Sequence, residues 1–320
     1  MHNLSERLIK PFPIMVFAIV MGLAGLTIAY EKATLLFGLP GWTYSVLLVL
    51  VSLVFTINLA VYGLKVALHP SEVLAELHHP VKINFFSAIP ISFLLLSIAY
   101  YNEVNPLLGI LFWYVGTPLQ FVLLLYVFSH WIRRDFDLIH ANPAWFIPIV
   151  GVILIPIVGV DFTSRFVPIF FFAVGMFFWL VFFTIVLYRL IFHAPLQKKF
   201  VPTLFIFIAP PAVALIAYFR ISGDVDLFAY VLYSLALFFL IVLLSMGRHF
   251  HMPRFFISWW AYTFPLAAFT IASMLLYEVT RESAFELLSI GGLALATLVI
   301  GYISFVTLQQ AWRRTLLVED

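Results

Sequence analysis

Apolar runs long enough to cross a bilayer alternate along this chain with short polar breaks. They predict ten helices, at residues 12–30, 42–68, 85–101, 107–131, 145–160, 166–192, 203–219, 227–246, 259–277 and 285–312. Each run holds close to the ~20 mostly apolar residues that one helical crossing needs. Trp42, Trp131, Trp145, Trp259 and Trp312 fall near the ends of runs, where an amphipathic ring prefers to sit at the lipid–water boundary.

Composition turns this pattern into a class. Of 320 residues, 64% are hydrophobic and only 10% charged, against roughly 25% charged in a soluble domain, and the mean hydropathy is +1.10. The chain is therefore expected to be an all-α integral membrane protein, with residues 1–320 forming a single transmembrane domain between short tails. No small-residue cleavage site follows the first apolar run, so the start reads as a short lead-in rather than a removed signal. The absence of cysteine excludes disulfides and thiolate chemistry.

Charge supplies the orientation. With ten spans, thirteen of the 17 basic residues share one side with both termini, and only Lys32, Arg165, Arg220 and Arg281 lie on the other. The positive-inside rule then puts both termini in the cytoplasm.

Prolines concentrate in the odd-numbered runs: Pro13 in the first, Pro90 in the third, Pro148 and Pro156 in the fifth, Pro210 and Pro211 in the seventh, Pro265 in the ninth. The chain thus reads as five helical hairpins, each a proline-bearing helix followed by a plainer one. A proline within a span frees a carbonyl that lipid cannot satisfy but a neighbouring helix or water-lined path can. This places the odd helices inside, kinked around a central pore, with the even helices against lipid. Half-helices starting at such kinks would turn partial positive charge toward the axis and favour anions.

On this partition every Asp, Glu, Lys and Arg falls in a loop or at a helix end. No proton-coupling group, catalytic constellation, metal set or cofactor motif stands within the spans, and nothing suggests an enzyme or a nucleic-acid partner. The nine histidines map to the basic side or its interface. Neither His78 with His79 nor His249 with His251 has the i,i+4 spacing of a helical metal site.

Four stretches then stand together: "MGLAGLTIAY" at residues 21–30, "HHPVKINFF" at 78–86, "PTLFIFIAPPAVALIAY" at 202–218 and "SWWAYTFPLAAFTIAS" at 258–273. They resemble the tellurite-resistance and dicarboxylate transporter family, which takes in TehA-like proteins and the slow anion channels of plant guard cells. The resemblance implies a homotrimer in the bacterial inner membrane, with one pore per protomer passing small inorganic anions such as chloride and nitrate. The carrier reading, export of dicarboxylate, sulfite or tellurite, stays open. It also implies a pore phenylalanine just before the ninth-run proline, here Phe264, with Phe17, Phe85 and Thr263 as further lining candidates. Ile153 and Leu154 stand where relatives often carry Asn-Phe. From spacing alone, Phe264 beside Pro265 reads as an aromatic packed against a tolerated break, and only the resemblance makes it a gate.

Overall fold

The computed structural model describes residues 9–133, 137–247 and 254–313. His2, Arg7, Arg134, Arg248, His249, His251 and Arg314, which enter the charge and histidine readings above, lie outside them. We number the helices of the bundle α1 (Phe17–Phe37), α2 (Gly41–Leu68), α3 (Ala88–Tyr101), α4 (Pro106–Arg133), α5 (Phe146–Leu154), α6 (Phe166–Phe192), α7 (Ala209–Ser222), α8 (Leu227–Ser245), α9 (Thr263–Thr280) and α10 (Ser283–Trp312). Among the described residues, nine helical stretches are long and apolar enough to cross a membrane, and the apolar stretch Pro143–Gly159, which contains α5, is shorter.

Burial sorts these helices into two layers. In the most apolar windows of the stretches containing α1, α3, α7 and α9, 78–83% of residues are buried, against 22–33% in those of α2, α4, α6, α8 and α10. The α5 stretch is buried throughout. The inner helices close a cycle: α1 packs on α3, α3 on α5, α5 on α7, α7 on α9, and α9 back on α1. Each inner helix also packs on the outer helix that follows it. Apolar side chains such as Leu287, Leu298 and Phe305 of α10 point outward, as lipid-facing positions do.

The prolines take a different place from the one expected. Pro90, Pro148, Pro211 and Pro265 are each the third residue of their α-helix, and Pro210 is the second of its own. First-turn N–H groups have no acceptor within the helix, so a proline there costs little. The chain before it, however, loses the donor that α winding would need. It winds more tightly instead. Lys198–Ile208 and Ile257–Tyr262 are 3₁₀ helices running straight into α7 and α9, and shorter 3₁₀ turns, Ile14–Val16 and Pro143–Trp145, lead into α1 and α5. Before α3, a short helix at Lys82–Phe85 ends in a turn at Phe86 and Ser87. The inner segments thus change winding where bent α-helices were expected.

The fifth segment breaks once more, at Pro156. Val152 O takes the N–H of Ile155 at 3.3 Å in place of the one Pro156 lacks. Outer helix α4 reaches in with further donors: Trp113 Nε1 to Ile155 O at 2.9 Å and Gln120 Nε2 to Pro148 O at 2.7 Å.

Charges also penetrate further than expected. Helix α1 continues past Tyr30, so Glu31 lies inside it and is buried. Lys65, in the last turn of α2, is buried against Glu76 of the short helix Pro70–His78, with Nζ to Oε2 at 3.3 Å. Tyr62 OH donates to Glu76 Oε2 at 2.7 Å, Ile14 N–H to Oε1 at 3.3 Å, and Lys65 Nζ to Phe12 O at 2.9 Å. This cluster pins the entry of the first inner segment to the outer layer.

Glu76→Gln leaves Lys65 buried without its counter-charge and should cost about 3–5 kcal/mol, read as a lowered melting point in detergent. At the opposite end of the bundle, Asp226 caps α8. It accepts from Tyr218 OH at 2.6 Å and from the N–H groups of Phe228 and Ala229 at 3.0 and 3.1 Å. The Tyr218 hydroxyl foremost, with those N–H groups, holds the Asp226 carboxyl below the ordinary carboxylate range. Its stabilisation is therefore present above the unfolded pKa and lost as pH falls through the depressed one. Asp226→Asn should lower the melting point at neutral pH and flatten the acid limb of a melting-point profile.

Candidate functional site: an apolar constriction on the bundle axis

The five winding junctions lie around one small cavity. It offers about 30 Å³ of room for water centres and is lined by Ala18 and Met21 of α1, Phe85, Ile147 and Val150 of α5, Ile206 and Ala209 at the α7 junction, and Trp260, Ala261, Phe264 and Pro265 at the α9 junction. All five inner segments contribute, each from within a few residues of the point where its α-helix begins. The lining side chains carry no charge, and the one polar group among them, the Trp260 indole N–H, is engaged by Thr307 Oγ1 at 3.0 Å. A water needs two to four polar partners. By volume the cavity has room for a water or two; by chemistry it is dry.

Phe264, second residue of α9, is 6% exposed. Its position follows from a close approach of α9 to α1. A β-carbon at Gly25 would come within 2.9 Å of Ala267 Cβ and 3.3 Å of Phe264 Cδ2, and one at Gly22 within 2.1 Å of Thr263 Oγ1. Only glycine lets the two backbones come this near. The Phe264 ring rests on the bare backbone of α1 on one side and faces the cavity on the other.

The other expected site residues separate into two groups. Phe85 and Pro265 line the cavity with Phe264. Phe17 and Thr263 are not among its lining residues. Phe17 is fully buried with its ring edge-on to Tyr62 of α2 at 5.9 Å, and Thr263 Oγ1 donates to Trp260 O at 2.6 Å while packing on Gly22. Pro90, Pro148, Pro156, Pro210 and Pro211 set winding and are absent from the cavity wall. Sequence reasoning missed Met21, Val150, Ile206 and Trp260. Their signal was proximity to the junctions, since each stands within five residues of an inner α-helix start.

The junctions also change the expected source of positive potential. Because 3₁₀ turns run directly into α1, α5, α7 and α9, the first N–H group of each of these helices is bonded rather than free: Phe17 N–H donates to Ile14 O, Phe146 N–H to Pro143 O, Ala209 N–H to Ile206 O and Thr263 N–H to Trp260 O. The positive ends of the inner segments lie where the 3₁₀ turns begin, nearer the basic face.

A family profile described as a voltage-dependent anion channel, SLAC1, matches residues 11–308. The chain belongs to the SLAC1 family. The S-type anion channel SLAH3 of Arabidopsis thaliana is 31% identical over 310 residues, covering 94% of this chain and 48% of its own length. The tellurite resistance protein TehA homolog of Haemophilus influenzae is 27% identical over 317 residues, 95% of this chain and 93% of its own. An uncharacterized transporter of Methanocaldococcus jannaschii is 28% identical over 264 residues, 75% and 76% of the two chains. This SLAC1-family chain spans about half the length of SLAH3 and of two further plant relatives that it matches. The family consists of channels and transporters, not enzymes.

Gly25→Ala inserts a methyl group between Ala267 and the Phe264 ring. It should destabilise the bundle by about 1–3 kcal/mol and shift the Phe264 ring signals in a fluorine-labelled NMR spectrum. Gly63→Ala, where an added β-carbon meets nothing within 4 Å, should do neither.

Proposed function

We propose that this chain is a passive channel for small monovalent anions, chloride and nitrate among them. Its path is the axis of the inner segments, and its barrier is the Phe264 ring. The observation that carries this reading is the dry apolar cavity lined from all five inner segments, with Phe264 on its wall. An ion in so narrow an apolar space has lost its hydration shell and gained nothing in return, so the constriction holds the path shut. Opening is rotation of one ring away from the axis.

The finer architecture follows the same reading. Ten spans form five hairpins, with Pro143–Gly159 serving as the fifth inner span, its crossing shortened because it is sheathed by protein. The inner helices all enter from the basic face, so their positive ends and the basic residues together favour anions at that mouth. The path itself carries no fixed cation, which suits rapid passage, since an ion bound tightly would not leave. The reading includes a homotrimer with one pore per protomer, in a bacterial inner membrane with both termini cytoplasmic. Support for anion passage comes from relatives named as S-type anion channels.

A second reading, a carrier or exporter for dicarboxylate, sulfite or tellurite, is favoured by the relative named for tellurite resistance and by the one named a transporter. Recordings from the purified chain in bilayers separate the two. Phe264→Ala should raise anion conductance by about an order of magnitude or more, each ~1.4 kcal/mol off a barrier being tenfold, with nitrate preferred to chloride. Unchanged current at equal reconstitution makes Phe264 ordinary packing. Saturable flux with trans-stimulation identifies a carrier.

A further inference from the structure

Arg189 stands in the last turn of α6, on the stripe Phe171, Gly175, Trp179, Phe182, Val186 and Arg189 that α6 turns toward the inner segments. It is 3% exposed, and its Nε and Nη1 have no hydrogen-bond partner. None of the ion pairs among the described residues includes it.

Its level in the bundle follows from its neighbours on α6. The Phe182 ring meets Trp145, the residue before α5, at 5.7 Å, and the Phe183 ring meets Phe207, just before α7, also at 5.7 Å. Arg189 lies six to seven residues further along α6, roughly 10 Å toward the basic face at 1.5 Å per residue. The backbone at Arg189 therefore lies beyond the junctions of α5 and α7, toward the basic face.

A buried lysine or carboxylate can shed its charge; a guanidinium cannot, because its pKa lies far above any working pH. A buried, permanently charged group needs a counter-charge or a set of acceptors. The described residues supply neither to Nε and Nη1. We propose that Arg189 anchors an anion-binding site at the basic end of the bundle, taking an oxyanion whose oxygens accept from the guanidinium. Nitrate and the phosphodiester of an anionic lipid share this chemistry, since both present oxygens to planar N–H donors. The site does not depend on conduction: the chain can bind here whether it is a channel, a carrier or neither.

The test is the melting point of the full chain in nanodiscs. One arm uses purely zwitterionic lipid with nitrate titrated against gluconate, and the other adds phosphatidylglycerol at constant salt. A free-anion site gives a saturable rise of roughly 3–5 °C with nitrate at a hundredfold excess over its dissociation constant. That rise is lost in Arg189→Gln and partly kept in Arg189→Lys. A lipid site gives its rise with phosphatidylglycerol instead, and native mass spectrometry then finds that lipid on wild type and not on Arg189→Gln. Because the wild-type titrations stand alone, a variant that folds poorly does not spoil the test. No saturable shift in either arm overturns the proposal. Equal shifts in wild type and Arg189→Gln overturn it as well.

Discussion

Hydrocarbon offers no hydrogen bonds, so every N–H and C=O within the membrane must be paired by protein. The rest of this structure depends on meeting that demand while the inner segments carry proline. A proline in mid-helix would leave a carbonyl orphaned and crowded. Here the turn before the proline winds as 3₁₀ and pairs one residue sooner, and α winding resumes with the proline in its first turn. Along the fifth segment, which breaks again at Pro156, Trp113 and Gln120 of the outer layer donate to Ile155 O and Pro148 O. The outer layer thus adds hydrogen bonds to the inner one as well as shielding it from lipid.

Tighter winding also changes what faces the centre. A 3₁₀ helix is slimmer than an α-helix and eclipses its side chains at every third residue, so the change of winding alters which side chains meet the axis. The five changes fall at one level, and that level holds the apolar cavity. Closure of the ring rests on Gly22 and Gly25, whose missing side chains admit Thr263 and Phe264 of α9. Packing between helices in lipid gains little from the hydrophobic effect and relies on such close approach.

The residues that line the cavity carry no charge, and the buried ion pair lies at the basic end. Lys65 and Glu76 meet in a buried pair there, and Tyr62 links this pair to the aromatic wall, touching Phe17 at 5.9 Å and Phe86 at 6.2 Å. Phe86 adjoins Phe85, which lines the cavity. The buried pair is thus linked by ring contacts through Tyr62 to Phe86, the chain neighbour of the cavity-lining Phe85.

By itself the sequence determined the class, the hydrophobic layering and the neighbourhood of the site. Runs of apolar residues leave no alternative to membrane helices, prolines in alternate runs mark the helices that protein must surround, and the stretch from Ser258 to Ser273 points to Phe264 through its family resemblance alone. Winding, burial and lining were decided only in three dimensions. Whether a turn before proline bends or tightens depends on which neighbours can donate to its carbonyls, and those neighbours are remote in the chain. Glu31, Lys65 and Arg189 read as helix-end charges because hydropathy weighs residues one at a time, whereas their burial comes from segments folded over them. Phe17 and Thr263 looked like equals of Phe85. Rotation about each helix axis, set by packing against α2 for one and against Gly22 for the other, turned them from the cavity, and no linear pattern records that angle.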